Sequence, residues 1–153
     1  MKRMIGVPAV ILLLIGLDQW VKALVVETIP LGGVKAFLPS IMSLTYLRNT
    51  GAAFSILENQ QWFFTVMTIL VMSGAIWYLV KRLQDSLWLI AGLALIIAGG
   101  VGNFIDRIRQ GFVVDMFQFD IVNFAIFNVA DVYLTFGVLI LCLVMMKEEK
   151  NGH

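Results

Sequence analysis

The chain has 153 residues, of which 60% are hydrophobic and only 14% are charged. Ordinary soluble domains are about 45–50% apolar and about 25% charged, so this composition excludes both a typical water-soluble domain and a disordered chain. Eleven Lys and Arg against ten Asp and Glu give a net charge of +1. Without a basic stripe, nucleic-acid binding is excluded as a main role. We therefore expect one membrane-embedded domain over residues 1–153.

Four segments are long and apolar enough to cross a membrane, since a spanning helix needs about 20 mostly apolar residues. They lie at about 4–26, 62–80, 86–105 and 127–146. The first also has the basic start and apolar run of a signal peptide. No small-x-small cleavage site follows that run, so we expect the segment to be retained as a helix. The predicted fold class is an α-helical polytopic membrane protein with four transmembrane helices.

The two longer connections contain strand patterns. The first, 27–61, has several turn residues and an alternating stretch at Met42–Tyr46, which is typical of a half-exposed strand. The second, 107–126, contains a short strand pattern at Gly111–Phe117. We expect a small extracytoplasmic β-sheet on the outer membrane surface, together with a long first external loop.

Basic residues predict the orientation of the helices. With four spans, one side of the membrane carries six of them at helix ends, and by the positive-inside tendency that side is the cytoplasm. Both termini are then expected inside. The six are Lys2, Arg3, Lys81, Arg82, Lys147 and Lys150, against Lys35, Arg48, Arg107 and Arg109 on the other side.

Charged residues inside a membrane span are costly and usually mark a function or an ion pair. In this topology Asp18 lies about 21 Å along the first helix, in its outer third, and Asp106 lies at the outer end of the third helix. Asp115 follows in the external loop, and Asp131 lies in the first turns of the fourth helix. Four carboxylates from distant positions are thus predicted to meet at the outer membrane boundary.

Each of these acids also has a simpler interpretation. The spacing of four residues suits a structural ion pair on one helix face, and a helix N-terminus favours a negative charge. The simpler interpretations are a structural pair for Asp18 and Lys22, interfacial anchors for Asp106 and Arg107, an N-terminal helix charge for Asp131 and a solvated loop acid for Asp115.

The available residue types limit the chemistry. His153 is the only histidine and Cys142 the only cysteine, and no HExxH or phosphate-binding glycine motif is present. These facts exclude that type of metalloprotease and a serine or cysteine triad. A carboxylate pair remains, in which two nearby acids share a proton, so that one activates water and the other donates to a carbonyl oxygen. Alternatives from the residues alone are a small proton- or cation-coupled transporter and a non-catalytic assembly subunit.

At these acids the sequence resembles the bacterial lipoprotein signal peptidases (signal peptidase II), a family of intramembrane aspartic peptidases. Five motifs in chain order carry the resemblance. They are Asp18-Gln19-Trp20-Val21-Lys22, Arg48-Asn49-Thr50-Gly51-Ala52-Ala53-Phe54-Ser55, Gly102-Asn103-Phe104-Ile105-Asp106-Arg107, Gly111-Phe112-Val113-Val114-Asp115-Met116 and Phe127-Asn128-Val129-Ala130-Asp131.

The resemblance implies that Asp115 and Asp131 are the catalytic dyad. Two positions depart from the family pattern, because Ala125 stands where a proline is frequent and Val132 where a serine is frequent. Neither departure touches the dyad. The resemblance also implies supporting roles around the site for Asp18, Lys22, Asn49, Gly51, Asn103, Asp106, Arg107 and Asn128.

The resemblance further implies the substrate, a prolipoprotein whose cysteine carries diacylglycerol and which is cut on the amino side of that cysteine. The expected partners are this precursor and membrane lipids; no cofactor, metal or nucleic acid is expected, and a monomer is expected. The location implied is the bacterial plasma membrane, with the active site at the outer-leaflet boundary. The long first loop is expected to cover the site, with the Arg48–Phe54 segment touching the substrate.

Overall fold

The computed structural model describes residues 2–51 and 60–150. Within them lie four helices long and apolar enough to cross a membrane, and a three-stranded antiparallel sheet in the order β1-β2-β3. The predicted fold class of four transmembrane helices with a small sheet is therefore confirmed. The helices are α1 (Lys2–Thr28), α2 (Gln61–Lys81), α3 (Leu87–Gln110) and α4 (Val129–Lys150), and the strands are β1 (Val34–Leu38), β2 (Met42–Asn49) and β3 (Val113–Phe119).

Helix α3 is the centre of the bundle. It packs against α1, α2 and α4, and 61% of its most apolar window is buried, against 11–17% for the other three helices. Glycines allow α3 and α4 to approach closely, since a Cβ on Gly137 would lie 2.8 Å from the carbonyl oxygen of Gly92. The other helices present long apolar faces outward, which is the surface that lipid chains cover.

Helix α3 runs past its predicted end at 105 to Gln110. Its start is capped by Ser86, whose hydroxyl accepts a hydrogen bond from the Leu89 N–H at 3.2 Å. Its end is set by Gly111, which adopts a left-handed φ of 77° and donates its N–H to the Arg107 carbonyl at 3.0 Å. The apolar run stops at Ile105, but the helix continues because Asp106 is buried and paired within the protein.

Strand β1 was not predicted from the sequence. All five of its residues are exposed, so the strand shows no alternation of buried and exposed positions. It is the edge strand and pairs with β2 alone, with Val34 opposite Thr45. Strand β3 lies two residues beyond the predicted Gly111–Phe117 segment and pairs with β2, with Leu47 opposite Asp115.

The sheet is fixed to the end of α1 by a small apolar core. Val25 of α1 and Ile29 just after it pack with Tyr46 of β2 and with Val114 and Met116 of β3. All five are at most 5% exposed. Because Asp115 lies between two of these core residues, this packing sets the height and direction of that part of β3.

Candidate active site

Asp115 is buried in the middle of β3, with 1% of its surface exposed, so its interpretation as a solvated loop acid is wrong. Its Oδ2 accepts a hydrogen bond from Asn49 Nδ2 at 2.8 Å, and its Oδ1 accepts one from Asn128 Nδ2 at 2.6 Å. The pKa of Asp115 is raised to about 6, mainly by burial and also by the nearby Asp131 charge, against the opposing effects of the two amide hydrogen bonds and of the Lys22 charge.

Asp131 lies in the first turn of α4, where it takes part in a reciprocal cap. Asn128 Oδ1 accepts from the Asp131 N–H at 3.0 Å, while Asp131 Oδ2 accepts from the Asn128 N–H at 3.1 Å. This is the geometry of a capping box, and it explains why α4 begins at Val129 rather than at 127. The remaining oxygen, Oδ1, accepts from Asn103 Nδ2 at 2.9 Å.

Asn128 joins the two acids. Its side-chain amide contacts Asp115 and its backbone N–H contacts Asp131, so one residue lies against acids from a strand and a helix. Within residues 2–51 and 60–150, neither Asp115 nor Asp131 forms an ion pair. Each of the four carboxylate oxygens instead accepts from an uncharged amide N–H, which leaves lone pairs for water or a proton.

Both acids line a cavity of about 690 Å³. The cavity lies between α2 and α4, each of which packs on α3. The two positions that depart from the family pattern, Ala125 and Val132, also line it. An apolar cavity that ends on a few polar groups is the usual form of a site for a largely apolar ligand. Its polar end is formed by Asn49, Asn103, Arg107, Asp115, Asn128 and Asp131, and its apolar walls include Met67, Val71, Met72, Phe124, Leu134 and Phe136.

Asp18 and Asp106 belong to a second, closed group around Lys22, here called the Lys22 cluster. Lys22 Nζ lies 2.9 Å from Asp18 Oδ2 and 3.0 Å from Asp106 Oδ2. The three residues are 0–4% exposed. The structural pair of Asp18 and Lys22 is thus present and has a third member, whereas the interpretation of Asp106 as an interfacial anchor is wrong.

The Lys22 cluster also fixes the backbone beside each acid that lines the cavity. Asp18 Oδ1 accepts from the N–H of Ala130, the residue before Asp131, at 2.9 Å. Asp106 Oδ2 accepts from the N–H of Val114, the residue before Asp115, at 3.2 Å. The cluster is therefore a buried support that places the start of α4 and the middle of β3.

Two further residues complete this support, and neither was among the predicted site residues. Gln19 Nε2 lies 3.2 Å from Asp18 Oδ2, 2.9 Å from Asp106 Oδ1 and 3.1 Å from the Gly102 carbonyl oxygen. A Cβ on Gly102 would lie 2.6 Å from Asp18 Oδ2, so any side chain there would displace the Asp18 carboxylate. The available signals were a polar side chain next to Asp18 within an apolar helix, and a glycine directly before Asn103.

Arg107 contacts the turn that follows β2 and does not act as an interfacial anchor. Its Nη2 donates to the Gly51 carbonyl at 3.1 Å, and its guanidinium lies 4.7 Å from the centroid of the Phe64 ring. The Gly51 N–H in turn donates to Asn49 Oδ1 at 2.9 Å. The part of the expected substrate-contacting segment at 52–54 lies outside the described residues.

The described side chains around the cavity are not arranged as metal ligands. In the part of the chain that the structure describes, no three His, Cys, Asp or Glu side chains are placed to hold a metal ion. The pair of Asp115 and Asp131 suits proton transfer instead, because one acid can stay ionised while its neighbour keeps a proton.

Comparisons with known proteins show similarity to one family along most of the chain. A family profile described as "Signal peptidase (SPase) II" matches residues 10–147. The lipoprotein signal peptidase of Streptococcus pneumoniae is 61% identical over 153 residues, covering 100% of both chains. That of Streptococcus thermophilus is 58% identical over 151 residues, covering 99% of both chains. A bacterial membrane enzyme solved by the in meso method at 2.3 Å resolution superposes with a TM-score of 0.89 at 31% identity, covering 97% of this chain and 93% of the other.

Four membrane-length helices and the family match together define a membrane-embedded peptidase of the aspartic class. The chain belongs to the signal peptidase II family. The resemblance seen in its motifs is confirmed, and the transporter alternative is not favoured. The chain is accordingly a multi-pass protein of the bacterial plasma membrane.

Proposed function

We propose that this chain removes signal peptides from diacylglyceryl-modified prolipoproteins by cutting on the amino side of the lipidated cysteine, with Asp115 and Asp131 as the catalytic dyad. Family membership and the names of the relatives support the substrate class. The cavity between α2 and α4 supports it further, because an apolar signal helix and two acyl chains need apolar walls beside the reacting bond.

The chemistry follows from two acids that share one proton. The ionised carboxylate takes a proton from a water molecule, whose oxygen attacks the scissile carbonyl carbon, while the protonated acid donates to the carbonyl oxygen. The tetrahedral intermediate then collapses, the C–N bond breaks, and the amine of the lipidated cysteine leaves with a proton from the dyad.

The surrounding residues position this pair. Asn49, Asn103 and Asn128 donate amide N–H groups to the carboxylates and fix their planes. The Lys22 cluster holds the backbone next to each acid, as described above. Arg107 and Gly51 hold the turn that orients Asn49.

A single observation carries the assignment of the dyad. Asp115 and Asp131 both contact Asn128, both line the cavity and, within the described residues, both lack a cationic partner. Purified Asp115→Asn and Asp131→Asn variants should each lose cleavage of a lipidated precursor, by about three orders of magnitude or more, because neither can complete the proton transfers.

The matched control is Asp120→Asn. Asp120 is an exposed acid directly after β3 that accepts a hydrogen bond from Ser43 Oγ at 2.8 Å, away from the cavity. It should retain near-normal turnover. Near-normal turnover in Asp115→Asn or in Asp131→Asn would remove that residue from the dyad.

The proposed orientation places both termini in the cytoplasm and the dyad at the outer-leaflet boundary. Arg3 supports the placement of the N-terminus on the side away from the dyad, because its Nη1 donates to the Asp85 carbonyl at 2.9 Å, at the opposite end of α3 from Asp106. Protease treatment of sealed vesicles tests the orientation. The C-terminal tail should be cleaved only when the cytoplasmic face is outside, and cleavage from the other face would reverse the assignment.

One chain is proposed to act as one peptidase domain and as a monomer. Among the described residues, one chain supplies an amide donor to each carboxylate oxygen of the dyad, from β2, α3 and the residue before α4. A mass measurement in nanodiscs that hold active enzyme should give one copy per disc. Activity confined to discs with two copies would contradict this.

A further inference from the structure

The three asparagines that donate to the dyad share one feature. Each side-chain amide makes two hydrogen bonds: its N–H group donates to a dyad carboxylate, and its carbonyl oxygen accepts from another group. The amide group can therefore point only one way. Asn49 Oδ1 accepts from the Gly51 N–H at 2.9 Å and Asn128 Oδ1 from the Asp131 N–H at 3.0 Å, both backbone groups close in sequence. Asn103 Oδ1 accepts instead from Lys22 Nζ at 3.0 Å, a charged side chain on another helix.

The hydrogen bonds of Lys22 are saturated. An ammonium group has three N–H donors and no acceptor, and Lys22 Nζ has three acceptors at 2.9–3.0 Å, on Asp18, Asp106 and Asn103. The atom of Asn103 that faces Lys22 must therefore be its oxygen. The Asn103 Nδ2 group is then turned toward Asp131 Oδ1, which it contacts at 2.9 Å.

We propose that Lys22 is a positioning residue that locks the Asn103 amide with its N–H toward Asp131 and so keeps Asp131 in the ionised form that activates water. This inference rests on the proposed function. Without Lys22 the Asn103 amide is free to rotate by half a turn and present its oxygen to Asp131, which repels an ionised carboxylate. Lys22 is 3% exposed and does not line the cavity, whereas Asn103 and Asp131 do, so its influence passes through Asn103.

The chain offers a matched pair of variants for the test. Lys22→Met and Gln19→Met each replace a long polar side chain that makes three hydrogen bonds in the same cluster. Only Lys22→Met releases Asn103. We expect Lys22→Met to lower kcat about 10- to 100-fold per folded molecule, by analogy with the loss seen when the hydrogen-bond partner behind a metal ligand is removed. KM should stay within about twofold, because Lys22 does not touch the cavity.

Gln19→Met disturbs the same cluster but leaves Lys22 to lock Asn103, so kcat per folded molecule in Lys22→Met should be at least about threefold below that in Gln19→Met. If Lys22→Met does not fold, the double variant Lys22→Met/Asp106→Asn removes one charge of each sign and is compared with Asp106→Asn alone. Equal kcat values in the members of either comparison would overturn the proposal, since the role of Lys22 would then be structural only.

A double-mutant cycle with Asn103→Leu separates a path through Asn103 from a general loss of packing. If Lys22 acts through Asn103, then Lys22→Met added to Asn103→Leu should lower kcat no further, within about twofold. Multiplicative losses in the double variant would overturn the proposal. Failure of the proposed function is recognised separately, because Asp115→Asn and Asp131→Asn would then cleave the lipidated precursor normally.

Discussion

The cavity pair and the Lys22 cluster each contain two acids, and they differ in what holds those acids. Asp18 and Asp106 are bound to one buried ammonium, whereas Asp115 and Asp131 accept only from amide N–H groups within the described residues. A cation at hydrogen-bond distance favours the charged form of a carboxylate more strongly than an uncharged amide donor does. The two groups of acids lie close together but are distinguished by their partners: a charged ammonium in the Lys22 cluster, and uncharged amides in the cavity pair.

Asp18→Asn should have the largest effect on stability among the variants that test this comparison. The change removes one partner of a buried ion pair and leaves the Lys22 ammonium with less compensating charge, so it should lower the free energy of unfolding by about 3–5 kcal/mol. Denaturant unfolding of the detergent-solubilised protein measures this loss. A variant that folds and binds precursor normally but no longer cleaves would instead place Asp18 in the chemistry.

A second test uses pH. The ionised Asp115 carboxyl should lower the free energy of unfolding, whereas the Asp18 carboxylate should increase it. Its ordinary pKa is 3.8 and its pKa in the folded chain is about 6. Below about pH 4 the group is protonated in both states, and between about 4 and 6 the unfolded chain loses the proton first. Wild-type stability should therefore fall through this window by up to about 3 kcal/mol and stay lower above it.

The comparison variant for the pH test is Asp115→Asn, which cannot ionise. The difference in free energy of unfolding between wild type and this variant should shift in favour of the variant as pH rises from about 4 to about 6. Asp120→Asn provides the background for an exposed acid. A difference that stays constant over the window would mean that the buried Asp115 carboxyl is not destabilised by its surroundings.

The smallest expected effect comes from Gly102→Ala, which disturbs the Lys22 cluster without removing a charge. The added methyl group would lie 2.6 Å from Asp18 Oδ2 and should lower the free energy of unfolding by about 1–3 kcal/mol. Gly16→Ala on α1 is the control, because a Cβ there meets nothing within 4 Å. The control should be neutral or slightly stabilising, and an equal loss in both variants would mean that contact with Asp18 is not the cause.

The sequence predicted where the acids lie better than what they contact. Helix lengths and a four-span topology were enough to bring Asp18, Asp106, Asp115 and Asp131 to one level, because helical rise converts residue number into depth. The ion pair between Asp18 and Lys22 was also accessible, since the two residues are four apart on one helix.

The remaining contacts depend on the tertiary arrangement. Asp106 pairs with Lys22 of another helix rather than with its sequence neighbour Arg107, and no spacing rule specifies that choice. The burial of Asp115 depends on how the sheet packs on α1. Strand β1 escaped prediction because an edge strand exposed on all its residues has no hydrophobic alternation. The Asn128–Asp131 cap did carry a local signal, an Asn three residues before an Asp at the start of an apolar run.

The position of Asn128 between the two acids has a consequence for inhibition. A compound that bridges Asp115 and Asp131 meets a receptor that is already assembled, so little affinity is lost in ordering the protein. A substitution at Asn128 that disturbed such a compound would also detach at least one acid from its donor. A substitution of Asn128 that gave resistance to such a compound would therefore also reduce the activity of the enzyme itself.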